Sequence, residues 1–203
     1  APSAGNMALY TILDITDQEL KDKLAVSCDH QPFIATAPMV LIFCADYRRW
    51  YDVFCEHVDE VRKPDMGDLF LAEADTLIAA QNAVVAAHSL GLGSCYIGDI
   101  TENFEYHKEL LNLPQYVVPT AMLVLGYPTE QQKERAKPGR VDMKYIVHEN
   151  GYQRLDTVSL QQMFAPRCGE KYLGHALWSQ DFPEFAEIVE RSMVKGGFHQ
   201  QFV

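Results

Sequence analysis

One stretch limits the possible folds more than any other: Asp68 to Asp99 reads as a single long helix that delivers one short strand. Asp68 stands as a candidate N-cap, Ala and Leu dominate the interior, and Gly91 can take the left-handed conformation that closes a helix. The spacing predicts a helix over about residues 69–90. Its polar residues Asp68, Asp75, Asn82 and Ser89 recur every seven positions, with Gln81 and His88 beside them, leaving a narrow polar line on an otherwise apolar cylinder. A helix apolar nearly all round is a buried one. Ala79, Ala80, Ala83, Ala86 and Ala87 remove bulk from one section and let another backbone approach, at a helix crossing or a subunit interface. The length would suit a membrane span, but Glu73, Asp75, Gln81, Asn82 and His88 interrupt it too often. After it, Gly91 to Gly98 switches to a short strand rich in β-formers. Gly98 reads equally as a plain turn and as a place where a flat ligand can lie against the backbone.

With 203 residues, 48% hydrophobic and 22% charged, the chain is expected to form one domain over residues 1–203 with a full core. A formal charge of −11 without a Lys/Arg cluster argues against a nucleic-acid surface and against acidic membranes. Five cysteines, Cys28, Cys44, Cys55, Cys95 and Cys168, are widely spaced with no Cys-x-x-Cys, which fits reduced thiols in the cytoplasm better than a disulfide framework or zinc. No leader, membrane-spanning or lipidation signal is read in the sequence. The start at Ala-Pro-Ser rather than Met is the mark expected of a processed or truncated polypeptide.

Taken in order, Met7 to Ile15 reads as a strand, and the segment from Asp17 as a solvated surface helix with acids first and lysines later. Met39 to Ala45 is a continuous apolar run, hence a central strand buried on both faces. Tyr47 to Arg62 is helical and aromatic-rich, Lys63 to Gly67 breaks it, Asn103 to Leu111 is a short helix, and Val117 to Gly126 is a second buried strand. Glu130 to Arg140 is charged and ends in Lys137-Pro-Gly-Arg140. Val141 to His148 reads as mostly extended, with helical pieces around Ser159 to Phe164 and Pro183 to Met193.

The chemistry is not announced by any familiar nucleophile elbow, zinc helix, phosphate loop or dinucleotide fingerprint. His30 and His148 read as turn or surface residues rather than ligands, and Cys95 as a small core residue rather than a nucleophile. An enzyme with this sequence therefore needs a cofactor to carry its chemistry.

Several segments together resemble the nitroreductase family of FMN-dependent oxidoreductases, in particular its flavin reductase and oxygen-insensitive nitroreductase group. Pro-Ser-Ala-Gly-Asn at 2–6 is similar to the family's Pro-Ser-x-x-Asn loop, Gln31-Pro-Phe33 to its flavin-contacting Gln-x-aromatic, and Leu41 to Asp46 to its central strand. Ala80-Gln-Asn through Gly98 resembles its interface helix and flavin strand, Met122 to Pro128 its next strand, and Lys137 to Arg140 its late cationic loop. The sequence begins after the point where the family usually carries a front segment with an Arg-Ser-x-Arg phosphate grip, as expected of a trimmed version of a longer protein; a protein truly without that grip would be expected to hold FMN more weakly.

The resemblance implies an α+β fold with a central mixed β-sheet flanked by helices, an intertwined homodimer, and FMN bound at the subunit interface. It implies a ping-pong reaction in which NAD(P)H gives hydride through FMN to nitroaromatic, quinone or flavin acceptors, with no catalytic side chain of the protein's own. The alternatives are a flavin-binding protein without efficient turnover, or a reductive dehalogenase or ene-type dehydrogenase on the same fold. Carried over by position, Pro2, Ser3, Ala4 and Asn6 would line the flavin and phosphate, Gln31 would bond the polar ring edge and Phe33 would shape the pocket. Tyr96, Ile97, Gly98 and Asp99 would lie by the ring, and Lys137 and Arg140 would meet phosphate or the electron-rich edge. Read from the charges around them alone, those two cations equally suit a solvated loop.

Overall fold

The computed structural model describes residues 1–166 except Pro138. The helix expected around Pro183 to Met193, and Cys168, lie outside the described residues. The described residues fall into two compact units, Ala1–Pro128 and residues 129–166, which are taken separately.

The first unit is a four-stranded sheet with helices on both faces. The strands are β1 (Tyr10–Asp14), β2 (Met39–Asp46), β3 (Gly93–Ile97) and β4 (Val117–Gly126), in the spatial order β1-β2-β4-β3. All three pairings among the described residues are antiparallel, so a parallel pairing that would make the sheet mixed is not among them. The two apolar runs became the two inner strands, because only strands paired on both sides and covered on both faces can bury continuous hydrophobic sequence.

Alternation along these strands divides the core in two. Val40, Ile42, Cys44, Met122 and Val124 point to one face, where they meet Leu24 of α1 (Gln18–Ser27), Ile34 of α2 (Pro32–Thr36) and Ile100 of α5 (Asp99–Glu102). Helix α1 is therefore only half a surface helix: Lys21, Leu24 and Ala25 are buried, with the Lys21 ammonium donating to the Ala37 carbonyl. On the opposite face Phe43 and Leu123 meet Ala79 and Ala80 of the long helix α4 (Met66–Ser89). At one end a third cluster joins Leu9, Ala45, Tyr47 and Val118 to Leu69 and Ala72 of α4 and to Phe104 of α6 (Phe104–Leu110), with Trp50 of α3 (Arg48–His57) against it.

Helix α4 begins three residues earlier than the sequence suggests, and Asp65 rather than Asp68 is its N-cap. The Asp65 carboxylate accepts the Gly67 N–H at 3.0 Å, and Asp68 reaches back to accept the Asp65 N–H at 2.9 Å, a reciprocal capping box. Arg62 closes on Asp68 with both guanidinium nitrogens, so the acid that looked like the cap is the buried anchor of the preceding loop. At the other end Gly91, at φ +75°, takes the left-handed conformation, and the Leu92 N–H returns to the Ala87 carbonyl at 3.0 Å.

The burial of α4 differs from that of an all-round buried helix. Leu69, Ala72, Thr76, Ala79, Ala80 and Ala87 are buried, with Ala83 partly so; Ala79, Ala80 and Ala83 pack on the chain's own sheet, and Ala86 is exposed. The opposite side carries Phe70, Leu77, Ile78 and Val85 at helical spacing, each at least 41% exposed. By length and composition α4 is apolar enough to cross a membrane, but it buries Asp68 and Asp75 and packs one side on the sheet.

In the second unit, helix α7 (Glu130–Glu134) is capped by the Thr129 hydroxyl, and residues 157–166 are helical behind an Asp156 cap. The stretch expected to be extended contains a 3-10 turn at Met143–Tyr145 instead, because the Asp142 carboxylate captures the Lys144 N–H.

Candidate functional site

The predicted site residues fall into three groups. The first is the loop before β1. Gly5, Asn6 and Ala8 have φ of +58°, +55° and +49°, so two residues with side chains sit in the left-handed region, where a β-carbon is disfavoured. That shape is held from outside the loop. The Ser3 hydroxyl donates to Asp75 Oδ2 and accepts the Ala8 N–H at 2.7 Å, while the Leu9 N–H reaches the same Asp75 oxygen at 3.1 Å. Trp50 Nε1 donates to the Met7 carbonyl at 2.8 Å, and Arg49 to those of Ala8 and Tyr10. Pro2, Ala4 and Asn6 remain exposed while Ser3 is half-buried and engaged within the chain.

The second group gathers where α1, α2 and α5 meet. After α1, Asp29 and His30 both take left-handed φ, of +58° and +52°, which turns the chain so that the Gln31 N–H donates to the Ala25 carbonyl at 2.8 Å. Pro32 then opens α2 with its pre-set φ, where its missing N–H costs nothing. The Gln31 side-chain nitrogen donates to the Cys28 carbonyl at 2.9 Å and to Asp99 Oδ2 at 3.0 Å. With both amide hydrogens used, Gln31 offers a ligand only its oxygen, an acceptor. Asp99 follows β3 directly through Gly98, and a β-carbon built at Gly98 would meet nothing within 4 Å. Phe33 and Tyr96 are each 43% exposed, whereas Ile97 is buried in the core.

Behind this group lies a buried support that the sequence did not single out. His107, wholly buried, makes a 2.8 Å bond through Nδ1 with the Ile100 carbonyl and another of 2.8 Å through Nε2 with the Ser27 hydroxyl. A carbonyl only accepts, so Nδ1 carries the hydrogen and Nε2 accepts. Burial pushes the imidazole below its ordinary pKa, against the opposing pull of the Ile100 carbonyl and the Asp99 charge. The neighbouring Cys28 thiol is pushed up to about 12 by burial, with the Asp99 charge adding to it, so Cys28 stays protonated and inert. His107 and Asn103, whose amide donates to the Ser27 carbonyl at 2.7 Å, fasten α6 to α1 and so fix the segment bearing Asp99.

Sheet register relates the first two groups. Tyr10 pairs with Ala45 and Ala45 with Val118, while Ile97 pairs with Met122 and runs along β4 toward Val118. The loop before β1 and the Gly98–Asp99 turn therefore leave the same end of the sheet, on opposite edge strands. Among the described residues no hydrogen bond or ion pair joins them.

The third group is in the second unit. Lys137 and Arg140 are exposed, and neither forms an ion pair among the described residues. Arg140 lines a cavity of about 360 Å³ with Asp142, Lys144, Tyr145 and Gln162. There the Lys144 ammonium sits 4.7 Å from the centre of the Tyr145 ring and the Tyr145 hydroxyl donates to Gln162.

These arrangements suit a flat, partly apolar ring that has an N–H at its polar edge. The open backbone at Gly98 and the Gln31 acceptor oxygen lie at one turn, with Phe33 exposed two residues after Gln31, whereas the Tyr96 hydroxyl reaches Gln81 of α4. The oxygen-insensitive NADPH nitroreductase of Salmonella typhimurium is 37% identical over 174 residues, which are 84% of this chain and 68% of that protein. The NAD(P)H-linked FMN reductase of Bacillus subtilis is 33% identical over 162 residues, 78% of this chain and 64% of that protein, so the chain spans about two thirds of the length of such relatives. The solved structure of the NADPH:FMN oxidoreductase from Vibrio harveyi complexed with NAD+ superposes with a TM-score of 0.79 at 28% identity, covering 98% of this chain and 85% of that one. Residues 1–127 match the model of the nitroreductase family, and they include the loop before β1, Gln31 and the β3–Asp99 turn; the chain belongs to that family.

Proposed function

We propose that the protein is an FMN-dependent oxidoreductase that takes hydride from NAD(P)H and passes it to nitroaromatic, quinone or flavin acceptors. The observation that carries this reading is the bond between Gln31 and Asp99 beside the open backbone of Gly98, in a chain whose relatives are named as FMN reductases and NADPH nitroreductases. FMN, when bound, supplies the acceptance and donation of hydride. The protein binds and orients it. Gln31 accepts a hydrogen bond from the ring edge, Phe33 and Tyr96 offer apolar surface, Ile97 and Gly98 present strand backbone, and Asp99 holds Gln31 in place. The loop Pro2, Ser3, Ala4 and Asn6 lines the cofactor with exposed backbone. Lys137 and Arg140 are proposed as cations for its phosphate or electron-rich edge from the family resemblance, and their test stands apart from the first unit: each change to Ala should weaken FMN binding about tenfold or more.

The working form is a homodimer. The stripe of Phe70, Leu77, Ile78 and Val85, with Tyr96 bonded to Gln81 beside it, is a contiguous apolar face of the kind covered by a partner. The setting is the cytoplasm, in keeping with Cys28, Cys44, Cys55 and Cys95 all being free thiols.

The test is anaerobic mixing of FMN-loaded protein with NADPH and with NADH. Loss of the oxidised flavin absorbance, followed by its return on adding a nitroaromatic or quinone, is the expected result. Initial-rate plots at several acceptor concentrations should be parallel, since donor and acceptor use the same flavin face in turn. Bound FMN that stays oxidised would instead indicate a flavin-binding protein without turnover.

A further inference from the structure

We propose that Asp75 is a positioning residue for the cofactor: from inside α4, its carboxylate sets the shape of the Pro2–Asn6 loop. This rests on the FMN reading above. Asp75 is 3% exposed and, among the described residues, no cation pairs with it. Its Oδ2 instead gathers two donors from one short segment, the Ser3 hydroxyl and the Leu9 N–H, which bracket the residues in left-handed conformation. A buried carboxylate held, among the described residues, by a hydroxyl and an amide is costly, and an apolar residue at this position of an apolar helix would pack without that cost. What the carboxylate provides is a fixed distance between Ser3 and Leu9. That closure makes Asn6 and Ala8 adopt φ values they would otherwise avoid. Ser3 completes it by accepting the Ala8 N–H, so its hydroxyl works as the hinge pin of the loop. The groups left facing outward, Pro2, Ala4 and Asn6, are then presented to the cofactor in one arrangement. Binding does not have to order them, and that preorganisation appears as affinity.

The experiment is FMN titration by flavin fluorescence with the wild type, Ser3→Ala, Asp75→Leu, Asp75→Asn and the Ser3→Ala/Asp75→Leu double variant. Thermal unfolding of each apoprotein and visible circular dichroism of the bound flavin are recorded alongside. Ser3→Ala and Asp75→Leu should each weaken FMN binding about tenfold or more and alter the flavin dichroism. The double variant should be no weaker than the weaker single one, because both changes open the same closure. Asp75→Asn keeps an acceptor oxygen and should recover most of the affinity. If Asp75→Leu does not fold, the reading rests on Ser3→Ala, which should weaken binding and alter the dichroism alike on the wild-type and the Asp75→Asn backgrounds. Wild-type affinity and dichroism in Ser3→Ala and Asp75→Leu would overturn the proposal, and so would losses that multiply independently. A wild type that binds no FMN removes the cofactor reading itself, a result separate from any difference among the variants.

Discussion

The side-chain amide of Gln31 donates to Asp99 Oδ2 at 3.0 Å, joining residues 68 positions apart. This bond ties the start of α2 to the first turn after β3, and it fixes which way the Gln31 oxygen points. A carboxylate next to a flavin opposes the negative charge that reduction adds. Asp99→Asn is therefore expected to raise the reduction potential of bound FMN and to loosen Gln31, seen as weaker FMN binding. Spectroelectrochemistry of the two loaded proteins checks it; an unchanged potential would place Asp99 away from the ring.

The exposed stripe on α4 gives a second expectation. Leu77→Asp or Val85→Glu puts a charge on the uncovered side, and should turn the proposed dimer into a folded monomer at micromolar concentration by sedimentation. Ala83→Trp acts differently, because Ala83 packs toward Leu123 and Phe43. Overpacking there should cost about 1–3 kcal/mol of fold stability rather than separate subunits.

Acid stability should track Asp68. Burial pushes its carboxyl pKa up, but the Arg62 guanidinium and the Asp65 N–H outweigh that and hold it below the ordinary carboxylate range. A depressed folded pKa means that the contribution is present above the unfolded value, near 4, and is lost as pH falls through the folded one. Asp68→Asn should flatten the pH dependence of unfolding below about pH 4, at a cost in stability at neutral pH. A curve that keeps its wild-type slope in acid would argue against the assignment.

His107 shifts in the same direction for a different reason: burial disfavours its charged form and holds its pKa below the value in the unfolded chain. As pH falls below about 6.5 the unfolded state takes up a proton that the folded state refuses, so stability declines from there down to the folded pKa. Replacing His107 with Gln should lower stability at pH 8 and remove this slope below about pH 6.5. Chemical denaturation across that range measures both.

Much of the fold is legible in the sequence. Met39 to Ala45 and Val117 to Gly126 are apolar without alternation, and that alone makes them inner strands. The Ala-rich run ending at Gly91 is a helix on propensity and capping, and Gln31-Pro-Phe33 with the β3 glycine turn carries the family resemblance. These features are local, because each depends on a residue's own backbone preference or on the period of its neighbours. Tertiary structure decided the rest. That Asp65 caps α4 while Asp68 turns to Arg62, that Ala79, Ala80 and Ala83 face the chain's own sheet and leave Phe70, Leu77 and Val85 outside, and that Ser3 spends its hydroxyl on Asp75 are all matters of which partner comes within reach. Periodicity can mark Asp75 as a polar residue on an apolar helix, and composition can mark Gln31 and Asp99 as polar residues near turns. Neither can pair them, because a hydrogen bond between residues 66 or 68 positions apart exists only once the sheet has brought their elements together.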